Sequence, residues 1–145
     1  MSRVAVHAEV VSGAPAKRVF EVLTDWPRHA EWMPFTRAEG GHEVGATLEG
    51  WTGIGPVGFT DTMVITEWIP GQRVTVEHTG KLVRGDAWFE VTPVADGCKI
   101  LWVERVDLPL GVLGRVGWLV AGPVVRFFMG LGLRRLSEVA GRTGA

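Results

Sequence analysis

The stretch from Ala14 to Pro34, APAKRVFEVLTDWPRHAEWMP, decides how the rest of the chain is read. Pro15 suits the first position of a helix, where its missing N–H leaves no bond unmade. Ala16, Val19, Phe20 and Leu23 follow at i, i+3, i+4 and i+7, which gives the helix one apolar face. Pro27 ends that helix or starts a second short one, and Trp26 and Trp32 are large apolar bodies placed to close something. Two short helices inserted between a first strand and a long run of strands read as a lid rather than as core.

On the N-terminal side, Arg3 to Val11 alternates as a strand, with Val4, Val6, Ala8 and Val10 on one face. On the C-terminal side, strand-like runs cover about 36–42, 46–53, 58–68, 72–79, 82–93 and 98–107. Turn chemistry separates them at Gly40-Gly41, Gly53 to Gly58, Pro70-Gly71, Gly80-Lys81 and Asp96-Gly97. Connections this short join antiparallel neighbours and predict a meander. A final helix follows from about Leu113 to Arg142, bent near Pro123. Its apolar stripe is Val125, Phe128, Met129, Gly132, Leu136 and Val139, and Arg134, Arg135 and Arg142 suit its negative C-terminal end. A twisted sheet of about seven strands curves around what it packs on, and a helix roughly 10–12 Å across fills only part of that concavity. The expected fold is therefore α+β: a curved seven-stranded antiparallel sheet gripping a long C-terminal helix, with two short helices closing one end. Residues 1–145 read as one domain.

Composition narrows the function classes. A net charge of −1 offers no basic face for nucleic acid. Cys98, the single cysteine, excludes an internal disulfide, sits in a predicted turn and has no neighbour that would activate it. Met1 to Val11 lacks the apolar core of a secretory signal, so a reducing, cytoplasmic setting is expected. His7, His29, His42 and His78 have no metal-ligand spacing, and neither a nucleophile elbow nor a phosphate loop is present, so no metal and no cofactor are expected. With no tyrosine, a phenolic acid is unavailable. Leu108 to Leu133 is apolar enough to raise a membrane helix, but Pro109, Pro123, six glycines and Arg115 and Arg126 favour a buried, kinked helix over membrane contact.

The order strand, A-P-A-x-x-V-F helix, D-W-x-x-x-x-x-W-x-P, six strands and long helix resembles the START-like helix-grip superfamily, and within it the small bacterial polyketide cyclase/dehydrase-like proteins. The VITEWIPGQR run (Val64 to Arg73), the TPVADG turn (Thr92 to Gly97) and LRRL (Leu133 to Leu136) carry the same resemblance, which spans nearly the whole chain. Cys98 departs from it, standing where such proteins often have Thr after the turn. The resemblance implies the fold and a hydrophobic ligand cavity, but not one reaction.

Strand alternation assigns inward-facing groups. Val74, Val76 and His78 share a face; so do Phe59, Asp61, Met63, Ile65 and Glu67, opposite a threonine-rich row. A two-residue loop at Pro70-Gly71 would set His78 opposite Met63, with Asp61 its diagonal neighbour. Val83, Gly85, Ala87, Phe89 and Val91 continue the inner face. A two-residue Asp96-Gly97 turn turns Ile100, Trp102, Glu104 and Val106 inward with Glu104 opposite Phe89, whereas a bulge there would turn Leu101 and Val103 inward instead. The candidate catalytic residues are His78 as base, Asp61 as its partner and Glu104 as acid. Each also has a plainer reading, as a solvated or hydrogen-bonded structural residue. The candidate ligand-binding residues are Trp32, Met33, Trp51, Phe59, Met63, Val76, Phe89, Trp102 and Phe128, with Trp32 and Met33 as gates. Three functions are open: binding of a hydrophobic, polyketide-like or lipid-like small molecule; a polyketide cyclase or dehydratase; and a regulatory interaction module, in a monomer or homodimer.

Overall fold

The computed structural model describes residues 2–80, 83–108 and 110–143. Strand β1 (Ser2–Ser12) leads into helix α1 (Ala16–Leu23) and a 3-10 helix (Trp26–Glu31). Strands β2 (Thr36–Gly40), β3 (Thr47–Ile54), β4 (Val57–Ile69), β5 (Arg73–Thr79), β6 (Arg84–Val94) and β7 (Gly97–Leu108) follow, then helix α2 (Val112–Thr143). The seven strands form one antiparallel sheet in the order β1-β7-β6-β5-β4-β3-β2, a meander with β1 laid beside its last strand. The expected turn at Gly80-Lys81, the start of the sixth strand run at Leu82, and Pro109 fall outside the described residues, as do Met1, Gly144 and Ala145 of the expected domain.

Pro15 is the N-cap of α1 rather than its first residue: its backbone is extended and its carbonyl accepts from the Val19 N–H at 3.0 Å. Val19, Phe20, Val22 and Leu23 are buried on one side of α1. They meet Met129, Leu133, Leu136, Val139 and Ala140 from the second half of α2, and Val6, Ile65, Val91 and Ile100 from the sheet. Ser137 donates to Ser12 across 2.7 Å, tying α2 to β1. Cys98, expected in a turn, lies fully buried in β7 within this core, and burial pushes its thiol pKa up.

The expectation of a buried final helix holds for its second half only. Val112, Leu113, Val116, Leu119, Val120, Val124 and Phe127 are each more than half exposed. The helix runs through Pro123.

Two loops differ from expectation in ways that set the site. The β4–β5 loop has three residues, Pro70 to Gln72, closed by a Gln72 N–H bond to the Ile69 carbonyl at 2.9 Å. The extra residue is offset by a bulge at Thr66: Glu67 pairs with Thr75, whereas Ile65 pairs with Val76 and Met63 with His78. The bulge also flips the strand. Glu67, expected inside, faces out and pairs with Arg73 at 2.7 Å, while Trp68 turns inward against Phe20 and Trp26. The β6–β7 turn is Ala95-Asp96, not Asp96-Gly97, so Glu104 opposes Ala87 and Trp102 opposes Phe89. That change of two in pairing preserves the face each residue points to.

Candidate functional site

Four strands contribute inward groups at one level of the sheet: Asp61 and Met63 from β4, Val76 and His78 from β5, Ala87 and Phe89 from β6, and Trp102 and Glu104 from β7. With Trp26, His29 and Met33 from the 3-10 helix and its exit, they line a cavity of about 150 Å³. Ala38, Leu48, Gly50 and Thr52 form the β2–β3 side of the wall.

At one end His78 is clamped between two carboxylates. Its Nδ1–H donates to Asp61 at 3.1 Å from Oδ1 and 3.0 Å from Oδ2, and its Nε2–H donates to Glu104 Oε1 at 2.8 Å. The Glu104 contact crosses β6, and it is possible because the intervening inner positions are Gly85, opposite His78, and Ala87, opposite Glu104. A larger side chain there would fill the path. Glu104 Oε2 accepts from Trp102 Nε1–H at 2.8 Å, so both of its oxygens are occupied. Asp61 takes no other side-chain hydrogen bond among the described residues, leaving acceptor capacity toward the cavity that it lines.

Burial alone would push the His78 imidazolium down, but the hydrogen bonds to Asp61 and Glu104, and their charges, outweigh it and raise its pKa to about 10. The ring is therefore cationic at neutral pH with both nitrogens donating. A doubly bonded imidazolium has no free lone pair with which to take a proton, whereas the role of base expected of His78 needs one. His29 is the opposite case: burial lowers it to about 4, so it stays neutral, and its buried Nδ1 has no hydrogen-bond partner among the described residues.

Of the other residues expected around a ligand, Met33, Met63, Val76, Phe89 and Trp102 line the cavity. Trp32 does not gate it; fully buried, it packs edge-on to Phe89 at 5.9 Å and Trp102 at 6.4 Å as part of the core behind the wall. Trp51 lies on the outer side of β3, stacked under the Arg37 guanidinium at 4.7 Å, because its neighbours Gly50 and Thr52 face in. Phe59, opposite Thr52, is partly exposed and lies outside the cavity wall. Phe128 is likewise exposed on α2 and does not line the cavity. Trp26, His29, Thr36, Ala38, Leu48, Gly50 and Thr52 also line the wall without having been candidates, and Val74, placed on the inner face by alternation, joins them. Alternation of Leu48, Gly50 and Thr52 was the available signal on β3, masked by the size of Trp51.

Residues 3–141 match the family described as "Polyketide cyclase / dehydrase and lipid transport". The chain belongs to this family. Solved structures agree on the fold. TTHA0849 from Thermus thermophilus is 14% identical with a TM-score of 0.82, covering 98% of this chain and 100% of its own. The ZhuI aromatase/cyclase from Streptomyces sp. R1128 is 16% identical with a TM-score of 0.81, covering 99% and 97%. The di-domain ARO/CYC StfQ of the steffimycin biosynthetic pathway is 17% identical with a TM-score of 0.77; the match covers 99% of this chain and 52% of StfQ. No curated protein sequence matches this chain. At these identities the structures establish a shared helix-grip fold; the chemistry has to be argued from the side chains.

Proposed function

We propose that this protein binds an apolar small molecule, polyketide-like or lipid-like, in the cavity, with a hydroxyl of the ligand donating to the Asp61 carboxylate. The observation that carries this reading is an apolar cavity lined at its polar end by Asp61, a carboxylate with one side-chain donor, His78, where Glu104 has two. A volume of about 150 Å³ accommodates one aromatic ring or the end of a chain. A larger ligand requires Met33 and the 3-10 helix to move aside.

Calorimetric titration with single-ring phenols and their methyl ethers tests the anchor. A hydrogen bond to a charged acceptor is worth roughly 1.5–3 kcal/mol, so the phenol should bind about tenfold or more tightly than its ether. Asp61→Asn should reduce that preference. Equal affinity for both would remove the anchor, and absence of binding or thermal shift across the series would end the binding reading.

The contact of three titratable groups at the cavity favours a second reading, a cyclase or dehydratase. Asp61 would then take the proton beside a substrate carbonyl. The acid expected at Glu104 would instead be His78: once Asp61 has taken the substrate proton it no longer holds the His78 Nδ1–H as a carboxylate, and that proton can pass to the leaving oxygen. Turnover of a β-hydroxy ketone that survives Asp61→Asn would exclude this reading.

A further inference from the structure

We infer that the outer face of the first half of α2 is a docking surface for an anionic lipid bilayer. Gly114, Trp118 and Gly122 recur at i, i+4, i+8 and are half-buried or buried, which marks the side turned to the protein. The opposite side carries Val112, Val116, Val120 and Val124 in the same spacing, flanked by Leu113, Leu119 and Phe127, all more than half exposed. Four consecutive turns thus present an apolar strip without a polar side chain, where a soluble helix presents charges.

Charge selects the occupant. From Leu108 to Ser137 the chain contains Arg115, Arg126, Arg134 and Arg135 and no acidic residue, a segment of +4 in a protein of −1. All four arginines are exposed and none forms an ion pair or side-chain hydrogen bond among the described residues. Arg134 and Arg135 lie about two turns beyond Phe127, toward the C-terminal end of the helix. An apolar strip bordered only by cations matches an interfacial helix lying in the headgroup region of an anionic leaflet. A second copy of the chain would set +4 against +4 along the same contact. The helix does not cross the bilayer in this arrangement, since its second half is held in the core by Met129, Leu133, Leu136 and Val139.

Vesicle flotation of the whole protein tests this, using phosphatidylcholine alone and phosphatidylcholine with a third of phosphatidylglycerol. Binding to the anionic vesicles should exceed that to neutral ones at least about tenfold at low salt and fall at high salt. The exposed double variant Val116→Glu/Val120→Glu should lose it with an unchanged melting temperature. Arg115→Glu/Arg126→Glu should weaken binding to anionic vesicles selectively, and Asp61→Asn should leave it intact, which separates this surface from the cavity. Equal partitioning to both vesicle types, or none to either, overturns the inference. So does a concentration-dependent dimer, seen by light scattering, that the same glutamate pair dissolves without any vesicle binding.

Discussion

The clamp on His78 makes stability depend on pH above neutrality. The folded-state pKa is raised from 6.5 to about 10, so the native state holds a proton that the unfolded chain releases earlier. Stability from this group is fully present below about pH 6.5 and is lost as pH rises toward 10. The full span corresponds to roughly 5 kcal/mol, at about 1.4 kcal/mol per pH unit. The side chain is 4% exposed, so solvent screening takes little from it. The chain has no tyrosine, and the buried Cys98 thiol, also held up, acts in the same direction only above its ordinary value of 9.0. Urea unfolding between about pH 7 and 8.5 therefore isolates His78 and should lose about 2 kcal/mol, a substantial part of a typical 5–15 kcal/mol. Glu104→Gln removes one charge from the clamp and should flatten the dependence. A stability that is level across that range, or an imidazole proton resonance of His78 that titrates near 6.5, would refute the clamp.

Three further outcomes follow from the geometry. At Gly50 an added Cβ meets only ordinary contacts, the nearest being Met63 Cε at 3.7 Å, so Gly50→Ala should fold normally yet weaken ligand binding by occupying cavity space, as read by calorimetry; Trp51→Ala, on the other face, should leave affinity unchanged. Gly85 has φ +131° and an added Cβ there would overlap the Arg105 carbonyl, so Gly85→Ala should cost about 3 kcal/mol or more in chemical denaturation. Trp102→Phe keeps an aromatic ring beside Phe89 but leaves Glu104 Oε2 without its donor, and should cost about 1–3 kcal/mol while shifting the His78 titration measured by NMR.

Strand order and the inward placement of Asp61, His78 and Glu104 were legible because alternation has a period of two, and both loop misreadings happened to preserve parity at these residues. The β6–β7 turn displaced pairing by two, which changes the neighbour but not the face; the β4–β5 loop displaced it by one, and the bulge at Thr66 took that residue back. Beyond the bulge nothing restores parity, so strict alternation puts Glu67 inside and its neighbour Trp68 outside, the reverse of their places in the fold. Trp51 was misplaced because bulk outweighed alternation, although Gly50 and Thr52 on either side already implied an outer position. Trp32 follows a 3-10 helix of only six residues, too short for a period to reveal its orientation. For α2, apolar composition alone does not distinguish a half packed in the core from a half left outside, since both read as equally hydrophobic.

The bulge at Thr66 divides β4 into two territories. Up to Ile65 its inner face serves the cavity; from Trp68 onward it serves the packing beneath α1, through Phe20, Trp26 and His42. The Pro70 hairpin and the ligand site can therefore accumulate changes independently, as long as loop length and bulge change together. Straightening the bulge and closing the loop at two residues, Pro70-Gly71, would pair Gln72 with Ile69 and restore Glu67 to the inner face, yet keep His78 opposite Met63. The junction works like a railway switch set within a single strand, allowing the lid end of the molecule to be rebuilt without rerouting the groups at the cavity.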